Sequence, residues 1–125
     1  MKYNKALQQI IADISSVYEA FLKGTKIYIG KSDDKDATIV RHEEKEGLNY
    51  TTFLATASPA IIAKLENDLI SHFNKSGIPI LNKIIGSPGN TEANMVYVCF
   101  DNYIPEEIDG EILLQLQYGE PIQIN

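Results

Sequence analysis

With 125 residues, 44% of them hydrophobic, the chain has the size and apolar content of one self-supporting domain over 1–125, with no room for a second core. A formal charge of −6 excludes the broadly basic surface of most nucleic-acid binders, so any such face here has to be a local basic patch on an acidic body. The single cysteine, Cys99, excludes an internal disulfide and a thiolate metal cluster, and no apolar run approaches the roughly 20 residues that span a bilayer.

Leu7, Ile10, Ile11, Ile14, Val17, Tyr18, Phe21 and Leu22 fall on one stripe at about 100° per residue, which predicts an amphipathic helix over about residues 4–22, stopped by Gly24. Thr25 to Gly30 is β-branched and aromatic and reads as a short strand carrying Tyr28. Ser32-Asp33-Asp34 is a turn and an N-cap candidate. The polar stretch Asp36 to Glu46, closed by Gly47, suits a surface helix, although Ala37-Thr38-Ile39-Val40 suits a strand as well.

Tyr50 to Thr56 reads as a strand, and Ser58-Pro59 as a cap and first turn opening a helix to about Phe73. Gly77, Pro79, Gly86, Pro88 and Gly89 then break regular structure. Met95 to Phe100 is continuously apolar, the pattern of a central strand buried on both faces, with Cys99 as one of its core residues. Ile112 to Tyr118 and Ile122 to Ile124 flank Gly119-Glu120 as a C-terminal hairpin over about residues 111–125, with Pro121 holding the last strand at an edge. The chain ends inside that strand, which suits a piece of something longer. With no basic segment leading into an apolar stretch at the N-terminus, the expected location is cytoplasmic.

On the helix after Ser58, with Ile62 at 0°, Glu66 falls at about 40°, inside the arc of Leu65, Leu69 and Phe73. A carboxylate there calls for a cation, hydrogen-bond donors or a metal ion, because burying it unpaired is costly. A salt bridge to Lys26 or Arg41 would satisfy it, and so would a mostly hydrated Mg²⁺. Tyr28 could orient or deprotonate a water if positive charge lowered its phenol's pKa. Arg41 offers a bidentate fork for phosphate oxygens, and His42 beside it an acid or base. Taken alone, each has a plainer reading: Tyr28 as an aromatic strand residue, the Arg-His pair as solvated surface, Asn82 as a turn residue. Gly30-Lys31-Ser32 is no P-loop, since five residues rather than four separate Gly24 from Gly30. His42 and His72 are too far apart to form a zinc pair at helical spacing.

Taken in order, the set resembles the GIY-YIG nuclease superfamily over about residues 17–100. Tyr28-Ile29-Gly30 is similar to its YIG strand end and Arg41, in Arg41-His42-Glu43-Glu44-Lys45-Glu46-Gly47, to its helix arginine. Glu66, in Lys64-Leu65-Glu66-Asn67-Asp68-Leu69-Ile70, is similar to its metal-binding glutamate, and Asn82, in Pro79-Ile80-Leu81-Asn82, to its closing asparagine. The family's first motif is a strand ending in Gly-Ile-Tyr about ten residues earlier. Ser16-Val17-Tyr18 has that spacing but lies in the helical stripe, so either the helix ends early and Tyr18 is that tyrosine, or it is missing.

The resemblance implies a small α/β domain, a mixed or antiparallel sheet flanked by helices, extended here by the N-terminal helix and the C-terminal hairpin. It implies hydrolysis of DNA with one Mg²⁺ or Mn²⁺ on Glu66. Tyr28, Arg41, Tyr18 and His42 would join Glu66 as catalytic residues, and Gly30, Lys31 and Asn82 would contact the substrate. The rival expectation is an inactive scaffold of the same fold serving as a binding or assembly module.

Overall fold

The computed structural model describes residues 1–19, 26–39, 48, 50–82, 90–100 and 120–125. Helix α1 spans Tyr3–Val17, strand β1 Ile27–Ser32 and strand β2 Tyr50–Thr56. Between the two strands lies helix α2, described over residues 35–39. Helix α3 spans Pro59–Ser76, β3 Met95–Phe100 and β4 Ile122–Gln123. The chain is thus an α/β protein built on a four-stranded mixed sheet in the order β1-β3-β2-β4. Both β1 and β2 run antiparallel to β3, while β4 runs parallel to β2.

Each element follows from local chemistry. Helix α1 keeps the apolar spacing of its sequence, burying Ala6, Ile10 and Ile14 with Leu7 and Ile11 at the margin. It starts one residue before the sequence suggests, and the helical backbone continues through Tyr18 with φ −57° and ψ −51°. In α2, Ala37, Thr38 and Ile39, expected as either helix or strand, are helical, because Asp34 Oδ1 accepts the Ala37 N–H at 3.1 Å and so satisfies a free donor of the first turn. Helix α3 begins at Ser58-Pro59 but without a side-chain cap bond from Ser58. It runs three residues past Phe73 before Gly77, at φ +83°, ends it in the left-handed conformation.

Strand alternation divides the molecule into two apolar clusters. Ile27 and Ile29 of β1 and Val96, Val98 and Phe100 of β3 face the helices, against Ile62, Leu65, Leu69, Ile70 and Phe73 of α3 and the buried stripe of α1. On the opposite face Tyr97 and Cys99 pack with Leu48, Tyr28 and Phe53. All six residues of β3 are buried, as expected of a central strand with apolar material on both sides. Cys99 is a buried core residue. Among the described strands β4 is the last in the order, paired with β2; whether the 112–118 strand of the expected hairpin flanks it lies outside the described residues. The helix stop at Gly24, the closure at Gly47, the breakers at 86–89 and the first hairpin strand at 112–118 lie outside the described residues. No helix among the described residues is long and apolar enough to cross a membrane.

Candidate functional site

Strand β1 carries Tyr28, Gly30 and Lys31, and Asn82 lies along its edge, but the sheet separates Tyr28 and Gly30 on one face from Lys31 and Glu66 on the other. Tyr28 and Gly30 share the face of β1 that turns away from the helices, with Tyr28 half-buried. The register sets Gly30 opposite Tyr97 and Tyr28 opposite Cys99. The Tyr97 ring therefore lies beside both, 6.3 Å from the Tyr28 ring and 5.8 Å from that of Phe53 on the other flank. A Cβ on Gly30 would run into Cζ and the hydroxyl of Tyr97 and come within 2.9 Å of Tyr28 Cε1. Glycine is needed here for space, since its backbone is ordinary strand.

Lys31 alternates to the helix face, the same side as Ile27 and Ile29. Its charge acts there on Glu66, which α3 carries half-buried beside Leu65 and Leu69. Burial pushes the Glu66 carboxyl above the usual carboxylate range, and the Lys31 ammonium offsets part of that rise. Among the described residues, the cation acting on Glu66 is thus Lys31, rather than the Lys26 suggested by the sequence. No group of three His, Cys, Asp or Glu able to cage a metal ion occurs among the described residues. A divalent ion here would take one carboxylate from Glu66 and oxygens from water and phosphate at its other positions, a donor set compatible with Mg²⁺.

Asn82 sits on the outer edge of β1. Its Oδ1 accepts the Ile29 N–H at 2.9 Å and its Nδ2 donates to the Ile29 carbonyl at 2.7 Å. At the end of the strand, Ser32 Oγ accepts from Thr38 Oγ1 at 2.6 Å and from the Asp34 N–H at 2.9 Å, tying β1 to α2.

Tyr18 stands at the C-terminal end of α1, partly buried against the helix-side core and on no strand. Of the two placements left open for a first-motif tyrosine, a strand ending at Tyr18 is therefore not what the chain forms. The aromatic partner of Tyr28 that sequence reasoning missed is Tyr97. Its signal, a tyrosine inside the apolar run 95–100, is visible in the sequence, but its pairing with β1 is not. Arg41 and His42 lie outside the described residues.

The fold and this edge define a small α/β domain with a tyrosine pair on one sheet face and, on the other, a half-buried carboxylate on which a lysine charge acts. Neither family models, curated proteins nor solved structures give a match to the chain.

Proposed function

We propose that this domain is a GIY-YIG-like nuclease that hydrolyses DNA phosphodiester bonds with Mg²⁺ or Mn²⁺. One observation carries the reading: Glu66, the residue similar to the family's metal-binding glutamate, is held half-buried among the apolar residues of α3, with the Lys31 charge acting on it. The first-motif tyrosine, which the resemblance sets about ten residues before Tyr28, is not replaced by Tyr97, which follows Asn82 in the chain and is buried.

The chain's residues divide the work by exposure and charge. Tyr97 is 1% exposed, so it supports Tyr28 from beneath and does not meet substrate. The role that the resemblance gives Tyr28, orienting the attacking water, is the part of the reading that its place on the sheet face opposite Glu66 and Lys31 does not support. Lys31, and Arg41 farther along the chain, bring positive charge to the phosphate oxygens. Glu66 would hold the divalent ion, which when bound supplies charge stabilisation at the phosphoryl oxygens. Hydrolysis adds water across one phosphorus–oxygen bond, leaving a phosphate on one fragment and a hydroxyl on the other.

The second reading, a non-catalytic scaffold that binds or assembles, is favoured by the alternation of β1. Tyr28 and Gly30 lie on one face, and Lys31 with Glu66 on the other. Supercoiled plasmid incubated with and without Mn²⁺ separates the two. The nuclease reading expects Mn²⁺-dependent nicking that Glu66→Ala abolishes while the circular dichroism of the fold is kept. Nicking that persists in Glu66→Ala sinks the metal assignment, and a folded wild-type protein that never nicks leaves the scaffold.

A further inference from the structure

We propose that Asn82 is a positioning residue, a carboxamide clamp that holds the Tyr28–Gly30 segment in place through the backbone of Ile29. The inference rests on the nuclease reading for its effect on turnover, but the clamp itself rests on geometry alone.

Among the described strands β1 is outermost on its side of the sheet, so the N–H and C=O groups of alternate residues point away from β3. Asn82 meets both outward groups of Ile29 with one side chain, accepting at 2.9 Å and donating at 2.7 Å across 53 residues of sequence. Only a carboxamide offers an acceptor and a donor at that separation. A carboxylate lacks the donor, and a hydroxyl is too short to span both groups. The Leu81 N–H donates to the Ile27 carbonyl at 2.7 Å, so the segment after α3 docks along the outer edge of β1. Ile78, buried, and Ile80, partly buried against the helix-side core, anchor it from within. Ile29 lies between Tyr28 and Gly30, whose side of the strand is fixed by β3. Gripped from both edges, that tripeptide cannot shift or twist without breaking the Asn82 pair. The same segment follows directly from the Gly77 end of α3, so the clamp also joins the helix of Glu66 to the strand of Tyr28.

The test compares Asn82→Ala with the near-isosteric Asn82→Asp, which keeps the acceptor for the Ile29 N–H and loses the donor. Amide hydrogen exchange at Ile29 should accelerate by about tenfold or more in Asn82→Ala and less in Asn82→Asp, with the Tyr28 ring resonances shifting in both. Plasmid nicking should lose about tenfold or more in kcat with KM unchanged, while the Mn²⁺-induced rise in Tm persists because Glu66 is intact. A rise in KM with kcat held would make Asn82 a substrate contact and overturn the proposal, as would unchanged Ile29 exchange. If the wild-type protein neither nicks DNA nor responds to Mn²⁺, the nuclease reading fails. The clamp is then decided by Ile29 exchange and the Tyr28 resonances alone, faster exchange with shifted resonances upholding it and unaltered values sinking it. Should Asn82→Ala not fold, the same two measurements on Asn82→Asp decide in the same sense.

Discussion

Gly30 is where the sequence reading and the packing diverge most. The family resemblance makes Gly30 a substrate contact, but the space it leaves is filled by Tyr97. Gly30→Ala should therefore destabilise the fold by about 1–3 kcal/mol, the usual cost of forcing an atom into a packed core, read as a lower urea midpoint. Thr52 is the opposite case: it is 5% exposed and its hydroxyl has no hydrogen-bond partner among the described residues. Thr52→Val keeps the β-branched shape and removes an unsatisfied group, so it should raise stability by about 1 kcal/mol in the same titration. Glu66 adds a pH dependence. Its folded-state carboxyl is shifted up by burial, so the folded protein prefers the protonated form and loses stability as pH rises through that shifted value. In the absence of divalent ions, Glu66→Gln should be more stable than wild type at neutral pH. The advantage should vanish in acid below about 4.3, the range of a free glutamate. A Glu66→Gln protein less stable than wild type at neutral pH would mean that Lys31, and not burial, dominates the site.

At the scale of elements, the two long helices are joined by more than apolar contact. Tyr3 on α1 donates its hydroxyl to Asp68 Oδ2 on α3, and Lys64 Nζ lies 4.3 Å from the centre of the Tyr3 ring. Burial and the neighbouring Asp68 charge push the Tyr3 phenol well above its ordinary range, so it remains a donor at any physiological pH. Tyr3→Phe keeps the ring under Lys64 and removes only the hydrogen bond to a charged acceptor. Thermal unfolding should show a loss of about 1–2 kcal/mol. The sheet shows how far sequence patterning reaches. The continuous apolar run 95–100 identifies β3 as the central strand, because only a strand covered on both faces drops the polar half of the alternation. The stripe of α1 and the Ser58-Pro59 start of α3 were legible for a similar reason: helix periodicity and the fixed φ of a proline at the first helical position are local. The neighbours of β3 were not legible, since antiparallel pairing between 27–32 and 95–100 depends on which apolar faces meet in three dimensions.

For the whole molecule, the acidic balance and the local basic groups set opposing terms. A chain of net charge −6 repels a polyanion at long range, so plasmid affinity should rest on a few cations near β1. Divalent ions provide a test that does not need turnover. An ion bound only by the folded protein raises its stability, by about 2.7 kcal/mol at a hundred times its Kd. Mn²⁺ should accordingly raise the Tm of the wild type and leave that of Glu66→Ala unchanged. An equal rise in both proteins would place any bound ion elsewhere.

The sequence by itself determined the α/β class, the amphipathic α1, the buried run of β3 and an unusual carboxylate inside the stripe of α3. Each of these is written in residue types at short, fixed spacing, which local backbone geometry translates directly. Only the tertiary structure decided that Tyr97 and not Tyr18 lies against Tyr28, that Lys31 acts on Glu66, and that Asn82 grips Ile29. Those partners are far apart in the chain, and sheet order, strand register and the faces presented by each element bring them together.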